Sequence, residues 1–377
     1  MNWIKDFTLG LISIFISYSL LIAGDWYIQK NIIQQLKHNS EYSEAKKIEE
    51  LRSKNEDLPQ KELAVNDGYL PIIVPSQMDL LDKNYPLVAG LPNSKTYYCN
   101  EGYGLIRYSS DRFGFRNKDE SWDKKNPIII IGDSFVQGAC VASNQTLPAY
   151  LEKNTNRAVI NLGMSANHPG HYLAYGELFI PKIKPTHVYL VFYTNDNAAV
   201  EKSVLEKAYL KGNKKLFSST ELRLFDAKFF KDEGLKIIDE IKKIDQDPTN
   251  KLNKNILRRL ISAFLRHASL PEIRSLIWPG SADFKQTKRA IHSTFNLCNT
   301  FNCNFTILFI PNSNFYRPDS RADQYGDSIE QLAISLNIKF IDGRDVLDRS
   351  RASKDYAIKG PHLSPLGYKK LADLITK

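Results

Sequence analysis

The stretch Pro127–Val141, read as PIIIIGDSFVQGACV, constrains the fold of this chain more than any other. Four consecutive isoleucines, Ile128–Ile131, are apolar on every face, so they suit neither a half-solvated strand nor an amphipathic helix. A short β-branched run between Pro127 and Gly132 reads instead as a strand covered on both sides, the kind parallel sheets use. Gly132-Asp133-Ser134 then forms a tight turn, with Gly138 one helical turn further on. Strand, turn and helix start put Ser134 at the carboxyl end of a parallel strand, where open α/β sheets keep their sites. A serine hydroxyl there suits a nucleophile with backbone N–H groups beside it. The same tripeptide also serves as an ordinary turn, so the remaining chemistry must come from elsewhere in the chain.

Beyond Pro127 the pattern is regular. A helix is predicted over Gln145–Lys153, then a strand at Ala158–Leu162 ending in Gly163 and a helix over Gly170–Phe179. A strand follows at His187–Phe192, leading into Tyr193-Thr194-Asn195-Asp196. Further strands are expected at Phe305–Ile310 and Ile338–Ile341, with helices over Asp323–Leu336 and Pro365–Thr376. Strands alternating with helices predict an α/β fold, three layers α/β/α around a mostly parallel sheet. Between Asn197 and Thr300 lies a helical insertion broken at Asp247-Pro248 and Trp278-Pro279-Gly280. Within it, Leu252–Leu270 sets Ile256, Leu257, Leu260 and Ile261 on one face against Arg258, Arg259 and Arg266 on another. Such a basic amphipathic helix packs on its own domain or lies on a membrane surface.

The front of the chain differs in character. Phe7–Ala23 is uncharged and flanked by Trp3, Trp26 and Tyr27, which reads as an uncleaved N-terminal transmembrane helix. Ile22-Ala23-Gly24-Asp25 makes a poor cleavage site for a signal peptide. Lys30, Lys37, Lys46 and Lys47 follow the span, and that excess taken alone favours a cytoplasmic body, although the expectation kept for this chain is an extracytoplasmic one. The expected organisation is a membrane anchor over 1–30, a polar helical stalk over 31–67, and an α/β domain over 68–377 whose insertion covers about 197–300. Gly68–Trp122 carries short apolar runs and turn signals, which predict irregular β structure leading into the domain.

Composition excludes little. The net charge of +9 is spread over lysine-rich helical segments, without a nucleic-acid-binding motif; anionic lipid or polysaccharide is the better match for any excess. Cys99, Cys140, Cys298 and Cys303 lack zinc-site spacing, so no metal or cofactor is implied; two disulfides fit an exported domain, and free cysteines a reduced one.

Three more stretches fall where the sheet puts loops at its carboxyl edge: Asn161–Asn167, Thr194-Asn195-Asp196 and Gly360–Gly367. An ester-cleaving serine needs a base, for which His362 is the candidate, and donors for an oxyanion, for which the Asn195 amide and backbone N–H groups serve. These blocks resemble the SGNH/GDSL hydrolase superfamily. Gly132-Asp133-Ser134 matches its first block, Asn195-Asp196 its third, and His362-Leu363-Ser364 with Gly367 its last. The segment Asp111–Asn117, reading DRFGFRN, resembles a lead-in found in bacterial membrane-anchored members. The resemblance covers roughly Asp111 to the C-terminus and implies Ser134 as nucleophile and His362 as base. It also implies an extracytoplasmic body, against the lysines that follow the span. The oxyanion would be held by Ser134 N–H, a second-block N–H and the Asn195 side chain. Asp133 and Asp196 would shape turns and orient neighbours. The reactions implied are metal-free hydrolysis or transfer of acyl groups on esters, such as O-acetyl groups of a cell-envelope glycan.

Two departures from the pattern stand out. The second-block glycine aligns with Ala166, whose N–H serves only if its backbone suits a side chain; Gly163 is the fallback donor. The aspartate three residues before the histidine is here Lys359, a cation that disfavours imidazolium. Asp355, Asp342 or Asp345 is then the expected orienter of His362, failing which a Ser–His dyad held by a backbone carbonyl remains. Lys359 also keeps open a non-catalytic glycan-binding or scaffolding protein, and the basic helix a lipid esterase at the membrane surface. His168 and His171 are candidate substrate contacts or solvated loop residues, and His187 is structural.

Overall fold

The computed structural model describes residues 13, 15–27, 47, 58–75, 88–197, 226–246, 270, 284–316, 320–350 and 352–377. The basic helix predicted over Leu252–Leu270 lies outside them except for its last residue, as do most of the stalk and residues 7–12 and 14 of the Phe7–Ala23 span. Residues 15–27 are helical and expose Phe15, Leu20 and Leu21. Among the described residues no helix is long and apolar enough to cross a membrane.

Five strands form one parallel sheet: β4 (Ile128–Gly132), β5 (Val159–Gly163), β6 (His187–Tyr193), β7 (Asn304–Ile310) and β8 (Lys339–Asp342). They lie in the order β5-β4-β6-β7-β8, and every neighbouring pair is parallel. The chain moves outward from β4 first one way and then the other, so the order reverses between β4 and β6. In open α/β sheets such a reversal is where a crevice is expected, because the two connections leave in opposite directions.

The isoleucine run works as its composition demands. Ile129 and Ile131 join the core on one face with Tyr172, Leu178 and Ile291, whereas Ile128 and Ile130 join the other with Leu147, Leu151 and Leu371. A side-chain period of two sends alternate residues into separate cores, and both must be apolar. The first face is covered by α4 (Pro169–Ile183), α6 (Phe284–Phe301) and α7 (Ser320–Ser335), the second by α3 (Leu147–Thr155) and α8 (Pro365–Ile375). Local chemistry sets the helix ends. Thr146 caps α3 by accepting from the Ala149 N–H at 3.3 Å, with Pro148 in the first turn, so the helix starts at Leu147 rather than at Gln145. Ser364 caps α8 by accepting from the Gly367 N–H at 3.1 Å.

Ahead of this sheet, β1 (Leu70–Pro71), β2 (Lys95–Tyr97) and β3 (Arg107–Ser109) form a small mixed sheet. Helix α1 (Leu58–Asn66), expected as the end of a polar stalk, is fastened to it. Gln60 accepts from the Leu105 N–H at 2.8 Å, and Ala64 is fully buried. Of the insertion, α5 (Ala227–Gln246) and α6 are described, and both place residues in the first core: Phe230, Ile237 and Ile238 from α5, Ala290, Ile291 and Cys298 from α6.

The lead-in Asp111–Asn117 buckles the two sheets together. The buried Asp111 carboxylate accepts from the Phe113 and Phe115 N–H groups, Asn117 Nδ2 and Trp122 Nε1, all at 2.8 to 2.9 Å. Burial pushes its pKa up to about 6 against those four donors. Phe115 meets Tyr175 and Phe179 of α4 edge-on, which seats the lead-in on the first core.

Candidate active site

Ser134 follows β4 as the first residue of the four-residue helix α2 (Ser134–Gln137), on the border where the strand order reverses. Asp133 caps that helix through its side chain, accepting from the Phe135 N–H at 2.9 Å. Ser134 is the first helical residue, so its own N–H has no partner within the helix. Ser134 is 8 % exposed.

His362 reaches Ser134 from the loop before α8. Its Nε2 lies 2.9 Å from Ser134 Oγ, within hydrogen-bonding distance. The other ring nitrogen, Nδ1, lies 2.7 Å from Oε1 of Glu101. Glu101 also accepts from the His362 backbone N–H, through Oε2 at 3.1 Å. The buried carboxylate thus holds both the ring and the main chain of one residue, and it fixes Nδ1 as the protonated nitrogen and Nε2 as the acceptor. Phe135 packs against the imidazole at 4.8 Å between ring centroids, itself stacked on Tyr193.

None of the three aspartates expected to orient His362 does so. Asp355 is buried, but its carboxylate accepts from the Asp348 N–H and from Lys370 Nζ at 2.8 Å each. Its main-chain carbonyl receives the Ser364 N–H, so Asp355 shapes the loop that carries His362 and does not touch the ring. Asp342 pairs with Arg344, and Asp345 closes the 3₁₀ turn after β8. Lys359 bonds to Glu101 through its backbone, N–H to carbonyl at 3.4 Å. Glu101 escaped the sequence because it comes from the β2–β3 connection, 261 residues before its histidine. Its one local signal is the neighbouring Cys99, whose bonded partner Cys140 lies six residues after Ser134.

The second block also differs from one expectation. Gly163 N–H, the fallback oxyanion donor, is spent on Asn161 Oδ1 at 2.8 Å. Gly163 is instead a packing glycine, since a Cβ there would overlap the backbone of Val136 and Gln137. Met164 N–H bonds to the Gly132 carbonyl, Ser165 N–H to Gln137 Oε1, and Asn167 N–H to the Met164 carbonyl. Ala166 is exposed with φ of 61°, and its N–H is the one in this turn, among the described residues, without an intramolecular acceptor. Asn195 is exposed in the 3₁₀ turn Thr194–Asn197 that follows β6, across the reversal point from Ser134.

The two acids beside these residues serve the backbone. Asp196 is buried and accepts from Tyr172 Oη at 2.7 Å and from the Tyr193 N–H at 2.9 Å. Burial first, and the nearby Asp133 carboxylate second, raise its pKa well above the carboxylate range. His168 and His171 are buried at the start of α4, not solvated. Burial, and His168 beside it, hold His171 well below the ordinary histidine range, so a neutral ring sits there. His187 lies at the far end of β6.

All four cysteines are bonded, Cys99 to Cys140 and Cys298 to Cys303. Glu101, Cys140 and His362 approach one another within 4.8 Å, residue types that elsewhere ligate metals. Here the Cys140 sulfur is engaged with Cys99, and metal binding requires a thiolate.

Residues 130–370 match the family model of the GDSL-like lipase/acylhydrolase family. Solved structures with a similar fold include a GDSL-like lipase from Bacteroides thetaiotaomicron, at 13% identity and a TM-score of 0.38 over 68% of this chain and 91% of that one. A second is Est24, a carbohydrate acetylesterase from Sinorhizobium meliloti, at 10% identity and a TM-score of 0.37 over 67% and 97%. A third is a catalytic mutant of Axe2, an acetylxylan esterase from Geobacillus stearothermophilus, at 15% identity and a TM-score of 0.36 over 66% and 92%. No curated protein matches the sequence.

Proposed function

Because the chain belongs to the GDSL-like lipase/acylhydrolase family of ester-acting hydrolases, we propose that Ser134, His362 and Glu101 act as its nucleophile, general base and orienting acid. The relay from Ser134 Oγ to Nε2 at 2.9 Å, and from Nδ1 to Glu101 at 2.7 Å, carries this reading. His362 Nε2 takes the Ser134 hydroxyl proton as Oγ attacks the ester carbonyl. The Glu101 carboxylate steadies the imidazolium that results. Ser134 N–H, Ala166 N–H and the Asn195 amide receive the oxyanion. The intermediate collapses, the imidazolium returns its proton to the leaving alkoxide, and an acyl-serine remains. Water or a sugar hydroxyl, deprotonated by the same Nε2, then completes hydrolysis or transfer.

Lys359 was the main support for a non-catalytic binding protein, and a carboxylate on Nδ1 from another segment removes that support. For the acyl group we favour O-acetyl on an envelope polysaccharide, an analogy with the wider superfamily. We read the body as extracytoplasmic and anchored through Phe7–Ala23. Two disulfides suit an oxidising compartment, against the lysines that follow the span. An alkaline phosphatase fusion placed after Trp26 checks the orientation: activity supports the reading, and a silent, stable fusion refutes it.

The central test is turnover of p-nitrophenyl acetate and labelling by a fluorophosphonate, wild type against Ser134→Ala. The mutation is expected to abolish labelling and lower kcat by about 10⁴-fold or more. Wild-type protein inert to both reagents would overturn the proposal. Labelling without turnover would keep the nucleophile and discard acetyl esters as the substrate.

A further inference from the structure

We propose that the Cys99–Cys140 disulfide is a positioning element of the active site: it holds Glu101 against His362, and the acid is in register only while the two cysteines are bonded. The inference rests on the reading of Ser134, His362 and Glu101 as a catalytic triad.

Three segments far apart in sequence must meet for that triad to form. The nucleophile belongs to the β4–α2 turn and the base to the loop before α8, both within the part of the chain that matches the family. The acid lies outside it, at the tip of the β2–β3 connection. That tip is a tight loop, in which the Asn100 side chain accepts from the N–H groups of Gly102 and Gly104 at 2.9 and 3.0 Å. The loop's own ladder ends at Cys99, where the Ile106 N–H bonds to the Cys99 carbonyl.

Glu101 lies two residues past Cys99, and Cys140 lies six residues past Ser134. The disulfide therefore ties the acid-bearing loop to the nucleophile-bearing segment. Its Cys140 sulfur is within 4.8 Å of both the Glu101 carboxylate and a His362 ring nitrogen. Cys140 holds a left-handed backbone, φ 60°, a conformation that costs a side-chain-bearing residue and persists only where the surroundings impose it. Arg116 clamps the same segment, donating to the carbonyls of Gly138 and Val141 at 2.6 and 2.9 Å. The second disulfide, Cys298–Cys303, joins the end of α6 to the start of β7 and takes no part in the triad.

The experiment compares the full-length wild type with Cys99→Ser/Cys140→Ser, Cys298→Ser/Cys303→Ser and Glu101→Gln. The readouts are kcat and KM on p-nitrophenyl acetate and the far-downfield imidazole N–H proton resonance of a histidine bonded to a carboxylate. The Cys99/Cys140 variant is expected to lose kcat tenfold or more with KM little changed, and to lose the resonance. Adding Glu101→Gln to it should cost no further activity, since the acid is already out of place. The Cys298/Cys303 variant should keep both readouts. Should the first variant fail to fold, dithiothreitol applied to the folded Cys298→Ser/Cys303→Ser protein replaces it. The reagent takes the remaining S–S bond to two thiols as it closes to its own cyclic disulfide, and reoxidation should restore both signals.

Retention of the resonance and of kcat once Cys99 and Cys140 are unbonded would overturn the proposal. So would a full additional loss from Glu101→Gln. Wild-type protein that shows the resonance but never labels at Ser134 would sink the esterase reading alone, and the resonance would still decide the role of the disulfide.

Discussion

In the proposed mechanism the orientation of one imidazole decides whether Ser134 can lose its proton, and Glu101 makes two hydrogen bonds to that histidine, one to its ring and one to its main chain. Glu101→Gln keeps the shape and removes the charge. It is expected to lower kcat by about 10² to 10⁴-fold with KM within a few-fold, measured on a soluble ester. Gly360 supplies an independent check, because a Cβ at that position would overlap the Glu101 carboxylate carbon. Gly360→Ala should therefore lower kcat in the same way, by displacing the Glu101 carboxylate while leaving Ser134, His362 and Glu101 themselves unsubstituted. An unchanged kcat would show that the acid does not need its present place. Ala166 carries the opposite sign. At φ 61° its side chain is strained, and the N–H it offers does not depend on the Cβ. Ala166→Gly should leave kcat within a few-fold and raise stability by up to about 1 kcal/mol, read by chemical denaturation.

At the level of elements, the five-strand sheet follows closely from local patterning. The strand expected at His187–Phe192 is found at His187–Tyr193, and that expected at Phe305–Ile310 at Asn304–Ile310. Buried parallel strands leave a strong apolar signal; the Thr146 cap moves a helix start by two residues, and the helix capped by Ser364 starts at Pro365 as expected. The β6–β7 pair also yields a pH prediction. His187 is stacked on Tyr189 and lies 2.9 Å from Thr306 Oγ1 across the pair. Burial, helped by Lys339 and Arg157, lowers its pKa to about 4. Below the unfolded value near 6.5 the unfolded chain binds a proton that the native ring refuses, so stability falls as pH drops from about 6.5 towards 4. His187→Gln should flatten that part of the curve in thermal melts. An unchanged slope would mean that the ring is protonated in the native protein.

For the whole molecule, the lead-in is one of the joints between the two sheets, through Asn117 on Asn161 and Phe115 on α4. Asp111 alone gathers four donors, two from the backbone and two from Asn117 and Trp122. Asp111→Ala strands those donors inside the protein and is expected to cost at least about 3 kcal/mol of unfolding free energy by urea titration. Its titration opposes that of His187. With its pKa raised to about 6, the native protein keeps a proton that the unfolded chain releases near 4, so this contribution falls as pH rises from 4 to 6. Loosening the lead-in should also lower activity, because the same region carries Glu101 and the Arg116 clamp on the segment after Ser134.

The sequence by itself determined the parallel α/β sheet, the serine at the end of its first strand, the late histidine and the two loops that flank them. The strands are written in contiguous apolar residues of one period, and the serine, the histidine and the two loops stand out through blocks of residues that resemble those of a known family. Only the tertiary structure decided which carboxylate faces His362, which N–H in the second block is free, and that the segment ahead of the parallel sheet carries that carboxylate. Asp355 stood nearest to the histidine in sequence and went to Lys370, while Glu101 was brought in from 261 residues away. Distance along the chain bounds only contacts made within one element. Where loops from different strands converge at one sheet edge, the choice of partner depends on how the whole core packs, which no local pattern records.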